Sequence, residues 1–252
     1  MDERIPLESI LFLDIETVPM SGTMEDLPEP FRHLWEKKAE TILRQEEKGA
    51  DEKFERAGIY AEFGKVICIS NGFFNGEGEA RQFRLKSFYG DDERQLLEAF
   101  SKMLTEMESF QQRKGRKLYL CAHNGKEFDF PFLARRMLIN GLPLPAILDM
   151  AGKKPWEVPF LDTMEMWKFG DRKSFTSLEL LAAVFGIPTP KDDIDGSQVA
   201  EVYYKEKDLE RIARYCEKDV VTTARIYQRF LGDEPVADEQ VRWSVPPPAE
   251  NP

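Results

Sequence analysis

The sequence predicts an α/β fold: a mixed five-stranded sheet with helices on both faces and a helical insertion after the first strand. Three observations predict it. Short apolar runs recur at 8–15, 65–74, 80–87, 117–122 and 158–163, each of strand length. Segments with a helical apolar period follow or separate them. The chain has 252 residues and is 42% apolar, which suits one elaborated domain with a substantial core.

The elements follow in order. ESILFLDI at 8–15 reads as a buried first strand, and Pro19, Gly22 and Pro28 then break the pattern. A charged helical insert spans about 24–58, with apolar positions at Phe31, Leu34, Trp35, Ala39, Ile42 and Leu43; Gly49 separates two helices. Strands at 65–74 and 80–87 form a hairpin across the glycines of NGEGE. Asp91 or Asp92 caps a helix from about 93 to 112. The strand at 117–122 leads through Asn124-Gly125 into a helix bearing Phe132, Leu133, Met137 and Leu138. After a fifth strand at 158–163 the chain is mostly helical: 176–185, 197–204, and a long helix from Asp208 to about 231. The acidic, Pro-rich stretch 233–252 is expected to be disordered. The whole order matches a ribonuclease-H-like layout by analogy.

Composition narrows the function. No apolar run approaches the roughly 20 residues of a membrane span, and the charged N-terminus lacks the apolar stretch of a signal peptide. Cys68, Cys121 and Cys216 are widely spaced within apolar segments and read as reduced core residues, so a cytoplasmic protein is expected. Two histidines, His33 and His123, exclude a His-rich zinc site. The net charge of −11 argues against holding nucleic acid by bulk electrostatics. It suits an enzyme that grips a few nucleotides, or one that relies on a partner.

The chemistry-bearing residues are carboxylates in three segments. Asp14 and Glu16 in FLDIET stand at i and i+2 of a strand, hence on one face. Asp129 in HNGKEFDFP follows the C-terminal edge of the strand at 117–122, where ligands of α/β sheets gather. Tyr215 and Asp219 stand at i and i+4 of the last helix, beside its buried stripe. Taken singly, each has a plain alternative: solvated acids, an acid at a helix N-terminus, a surface Tyr–Asp pair. Taken together, clustered carboxylates are the usual ligands of Mg²⁺ or Mn²⁺ in phosphodiester hydrolysis.

In combination the residues resemble the DEDD superfamily of 3′–5′ exonucleases. FLDIET is similar to its first motif, Asn124, Phe128 and Asp129 to its Asn-x-x-x-Phe-Asp motif, and Tyr215 with Asp219 to the Tyr-x-x-x-Asp motif of the DEDDy branch. The other branch has a histidine where Arg214 stands. Within the branch, the chain resembles the proofreading exonuclease domain of family-B DNA polymerases, with FGKVICIS at 63–70 and the stretch 177–203 similar to its intermediate segments; the insert at 24–58 departs from it. The resemblance implies an exonuclease domain over 1–232 and two divalent cations, Mg²⁺ or Mn²⁺, held by Asp14, Glu16, Asp129 and Asp219. It implies that Tyr215 orients the attacking water, since an ordinary tyrosine pKa of ~10 makes a poor base at neutral pH.

The implied substrate is the 3′ end of a single-stranded nucleic acid, DNA rather than RNA, with Thr17, Asn124 and Phe128 near the terminal nucleotides. Phe175 is a stacking or wedge residue or a core residue, and Lys168, Arg172 and Lys173 form a phosphate-contact cluster or a solvated loop. Arg113, Lys114, Arg116 and Lys117 read as a solvated turn away from the catalytic edge, and His123 as a structural residue. An exoribonuclease with the same site and an inactive nucleic-acid-binding module remain as alternatives, and a repair or replication protein is a possible partner.

Overall fold

The computed structural model describes residues 4–42, 49–76, 78–154, 156–171, 175–188 and 194–245. Its centre is β1 (Ile10–Pro19), a strand with almost no polar residue before Asp14. β2 (Gly64–Asn75) pairs antiparallel with β1, and β3 (Gln82–Tyr89) antiparallel with β2. On the other side β4 (Tyr119–Ala122) and β5 (Phe160–Asp162) run parallel to β1, as crossover connections through helices require. A sixth strand, β6 (Val241–Arg242), pairs with β3, giving the order β5-β4-β1-β2-β3-β6. The sheet is mixed and ribonuclease-H-like, as expected, but has six strands. A two-residue strand leaves no periodic trace in sequence.

Helices cover both faces because alternate residues of β1 are apolar on both. Leu11, Leu13 and Ile15 pack against α3 (Glu93–Arg113) and α4 (Asp129–Ile139) through Leu97, Phe100, Leu104, Leu133 and Met137. Ile10 and Phe12 face the opposite way, onto Val220, Val221, Ala224 and Tyr227 of the long helix α8 (Leu209–Phe230). Both long helices begin as their caps predict: Asp92 accepts from the N–H of Gln95 and Asp208 from that of Arg211. Between α4 and α8 lie α5 (Thr163–Lys168), α6 (Leu178–Val184) and α7 (Val199–Glu201), the last continued by a π turn over Val202–Glu206. The expected helix at 197–204 is thus broken into two short pieces.

The insert is built from α1 (Glu29–Ile42), α2 (Ala50–Lys53) and a 3₁₀ turn at Phe54–Ile59. It has a small core of its own around the fully buried Trp35, with Ala39, Phe54 and Phe63. Of the other apolar positions of the helical period, Phe31 is partly exposed but packs its ring edge-on against Phe63 at 6.3 Å, Leu34 is exposed, and Leu43 lies outside the described residues. The insert sits directly on the end of β1: a Cβ on Gly58 would come within 3.0 Å of the Val18 backbone. A buried bidentate pair, Arg136 with Glu93, locks α4 to α3; Arg136 also donates to the Ala61 carbonyl at 2.8 Å, and Glu93 accepts the Val66 N–H at 2.7 Å.

The stretch expected to be a disordered tail is ordered over 233–245, and residues 246–252 lie outside the described residues. Its anchor is Glu217 of α8, fully buried. Glu217 accepts from the Ser87 hydroxyl at 2.7 Å, from the Ser244 hydroxyl, and from the N–H groups of Ser244 and Val245 at 3.3 Å each. All three cysteines are free and buried. Among the described residues no helix is long and apolar enough to cross a membrane.

Candidate active site

β1 runs four residues further than its apolar core suggests, so Asp14 and Glu16 lie inside a paired strand, opposite Ser70 and Cys68 of β2. Their parity points both toward α8. The pairing slips between Glu16 and Thr17, a bulge that ends the regular ladder just past the second carboxylate. Asp14 is half-buried and Glu16 buried. From α8, Cys216 places its Sγ 3.2 Å from Asp14 Oδ2, and a ligand atom from each of Asp14, Glu16 and Cys216 lies within 4.8 Å of the others.

Asp129 arrives from the other side. After β4 the chain turns at Asn124, whose φ of 64° is left-handed, a conformation asparagine tolerates better than most residues. Gly125 follows because a Cβ there would sit 2.4 Å from the Ala122 side chain. Asp129 is then the first residue of α4, 3% exposed, where its own N–H and that of Ile15 in β1 favour its charged form against burial. The turn is held by a residue that sequence reasoning passed over. Asp162, 3% exposed at the end of β5, accepts the N–H groups of Asn124 (3.0 Å) and Lys126 (3.1 Å) while capping α5 through Met164 and Glu165. The signal for it was a strand ending in Asp-Thr before a helix, which is an N-cap signature.

The electrostatics show that the three segments meet. Burial pushes the Asp14 carboxyl well above the usual carboxylate range, and the charges of Asp129 and Asp219 push it further, against the opposing Cys216 hydrogen bond. Glu16 is raised likewise by burial, then by Asp14 and Asp219. Asp129 is raised to about 7, chiefly by burial, with Asp162 and Asp219 adding to it. Burial and then Asp219, Glu16 and Asp14 drive the half-buried Tyr215 phenol far above its ordinary value, so its hydroxyl stays protonated and can donate. Its oxygen lies 3.9 Å from where a Cβ on Gly196 would be, so the loop before α7 borders it.

This donor set fits divalent cations. Carboxylate oxygens from Asp14, Glu16, Asp129 and Asp219 are hard ligands, and buried acids that raise one another's pKa are stabilised by a cation. The Cys216 thiol beside them also stays protonated, its pKa pushed well up by burial and the neighbouring Cys68.

The remaining expected residues divide. Asn124 keeps a buried side-chain oxygen that has no hydrogen-bond partner. Thr17 is half-buried just past the bulge. Phe175 is 73% exposed, which removes the core reading; its neighbour Thr176 accepts from His123 Nε2 at 2.9 Å, so it stands next to the Asn124 turn. Phe128 is half-buried and packs on Phe132, with ring centroids 5.4 Å apart, at the margin of the α3–α4 core. His123 is structural, bridging Thr163 and Thr176. Arg172 and Lys173 lie outside the described residues.

Residues 59–238 match the family of predicted 3′–5′ exonucleases related to the exonuclease domain of PolB. The match contains Asp129, Tyr215 and Asp219 and begins after Asp14 and Glu16, which the fold itself brings to the same place. The chain belongs to this family and carries a PolB-like exonuclease domain. A DNA polymerase of Pyrococcus glycovorans is 24% identical over 152 residues, covering 55% of this chain and 18% of the polymerase. The family B DNA polymerase of the hyperthermophilic archaeon Pyrobaculum calidifontis shares the fold, with a TM-score of 0.57 at 16% identity, over 92% of this chain and 25% of that one. The chain therefore spans about a fifth to a quarter of the length of these relatives.

Proposed function

We propose that the protein is a metal-dependent 3′–5′ exonuclease that removes nucleotides from the 3′ end of single-stranded DNA. The observation that supports it best is the convergence of Asp14 and Glu16, Asp129, and Asp219 from three distant segments into one mutually repelling cluster. Asp14, Glu16, Asp129 and Asp219 would hold two divalent cations, Mg²⁺ or Mn²⁺. When bound, such cations neutralise the phosphodiester and lower the pKa of water toward neutrality.

The chain's own residues supply the rest. Tyr215 keeps its proton at pH 7 and acts as an O–H donor that orients the attacking water; it is not a base. Asn124, at the turn that leads into α4, would contact the terminal nucleotide, and the Thr17 segment borders the end of β1. Phe175 offers a ring on which an unpaired base can stack. The 3′–5′ direction comes from the family's description.

The test is incubation of the protein with a 5′-labelled single-stranded DNA oligonucleotide and with a matched RNA, in Mg²⁺, Mn²⁺ or EDTA. A metal-dependent ladder shortening from the 3′ end, faster on DNA, is expected. Faster shortening of RNA would make the protein an exoribonuclease with the same site. No cleavage of either by the folded protein would overturn the enzymatic reading and leave a nucleic-acid-binding module.

A further inference from the structure

On the face of the sheet opposite Asp14 and Glu16, a groove of about 590 Å³ opens between the β2–β3 hairpin and the C-terminal half of α3. Its floor is apolar and adaptable: Phe73, Met103 and Met107 are half-buried, and Phe110 is 44% exposed. Its rim is basic, with Lys86, Arg113, Lys114 and Arg116. Among the described residues none of these four makes a salt bridge, although Lys114 and Lys86 lean over the rings of Phe110 and Phe88. Of the two carboxylates lining the groove, Glu8 is engaged by Arg81 at 3.2 Å, which leaves Glu106 alone against four cations. A basic rim is unexpected on a chain of net charge −11.

A second, independent observation points to a ligand. Gln111 lines the groove, is 2% exposed, and donates its side-chain N–H to the Glu8 carbonyl. Its side-chain oxygen is buried with no hydrogen-bond partner. Turning the amide over would only oppose that oxygen to the Glu8 carbonyl. A buried acceptor without a donor costs stability, so a group that brings an N–H is favoured there.

We propose that this groove docks an acidic peptide segment of a partner protein, anchored by an apolar side chain. The apolar side chain seats among Phe73, Met103, Met107 and Phe110, flanking carboxylates meet Arg113, Lys114 and Lys86, and a peptide N–H meets the Gln111 oxygen as that side chain shifts toward the groove. A peptide is favoured over a nucleic acid strand: its backbone brings an N–H at nearly every residue, whereas the phosphates that would meet the basic rim are acceptors only, and thioether side chains grip aliphatic groups. The inference is independent of the nuclease reading, since the groove shares no residue with the carboxylate cluster.

The experiment selects a library of displayed random twelve-residue peptides on the full chain and, in parallel, on the Arg113→Glu/Lys114→Glu variant. The best peptide is then measured by fluorescence anisotropy against both proteins and against Met107→Asp. Enrichment of peptides combining an aromatic or aliphatic residue with carboxylates is expected. So are at least tenfold weaker binding to each variant, weakening with salt, and an unchanged exonuclease rate in both variants. Circular dichroism of the variants confirms that they fold. No enrichment, enrichment of peptides lacking carboxylates, or equal binding to the variants would overturn the proposal. Displacement of the peptide by oligo(dT), with oligo(dT) binding lost in the same variants, would replace it with a nucleic-acid track.

Discussion

The Cys216 thiol of α8 lies 3.2 Å from Oδ2 of Asp14 and 3.4 Å from the Asp14 carbonyl oxygen, although 202 positions separate the two residues. It joins the first carboxylate segment to the last helix directly. Its hydrogen bond favours the charged form of the Asp14 carboxyl, against burial and the charges of Asp129 and Asp219. Cys216→Ala is expected to lower the exonuclease rate several-fold, to raise the metal concentration needed for half-maximal rate, and to cost about 1 kcal/mol from the small cavity. Cys216→Ser, which keeps a donor, should retain most of the rate. Equal rates in the wild type and Cys216→Ala across a metal titration would show that the thiol only fills space.

Asp14→Ala and Asp219→Ala are expected to abolish activity, whereas Tyr215→Phe should reduce it by about two orders of magnitude, the scale of losing one positioned proton-bearing group. Stability should move the other way. Asp14→Asn relieves repulsion within a buried cluster, so its melting temperature in EDTA should exceed that of the wild type, and added Mn²⁺ should raise it less. Full activity in Asp14→Ala would sink the assignment.

Asp129 is expected to make the metal-free protein pH-sensitive. Its carboxyl is raised to about 7, so between an unfolded value of ~3.9 and 7 the folded state binds the extra proton. In EDTA stability should therefore fall as pH rises through that window, by at most ~1.4 kcal/mol per unit for this group, and then level off. Saturating Mn²⁺, which needs the charged form, should flatten the fall, and the exonuclease rate should rise with pH toward 7–8. A melting temperature in EDTA that climbs from pH 5 to 7 would contradict the buried placement of Asp129.

Asp162→Ala leaves four backbone N–H groups without their acceptor, at both the Asn124 turn and the start of α5. A loss of about 3 kcal/mol is expected, with a fall in kcat beyond what unfolding accounts for, because the turn aims α4 and hence Asp129. Asp162→Asn should recover part of both. Chemical denaturation and single-turnover rates on the same samples separate the two effects.

Much of this was legible because the signals are local. The apolar run before Asp14, the Asn124-Gly125 turn and the Asp92 and Asp208 caps each sit within a few residues of what they specify. What escaped depends on distant contacts. Asp162 looked like the end of a strand, and only the fold shows that it also holds the turn after β4. Cys216 read as a core cysteine, which it is, yet its thiol also faces Asp14. Leu34 had the right helical spacing, but the insert's core is small and Trp35 with Ala39 fills it. The stretch after 233 looked too polar to order, because its anchors, Glu217 and β3, lie outside it in sequence.

The Glu217 anchor also bears on solubility. β3 is eight residues long; β6 pairs with Phe83 and Arg84 on its outer edge and the Ser244 hydroxyl takes the Ser87 N–H, so without this segment those backbone groups would be open to a strand from another molecule. Deleting residues 241–245 would uncover that border and strip the Glu217 carboxylate of three of its four donors. A chain shortened there is expected to associate edge to edge more readily than the full chain.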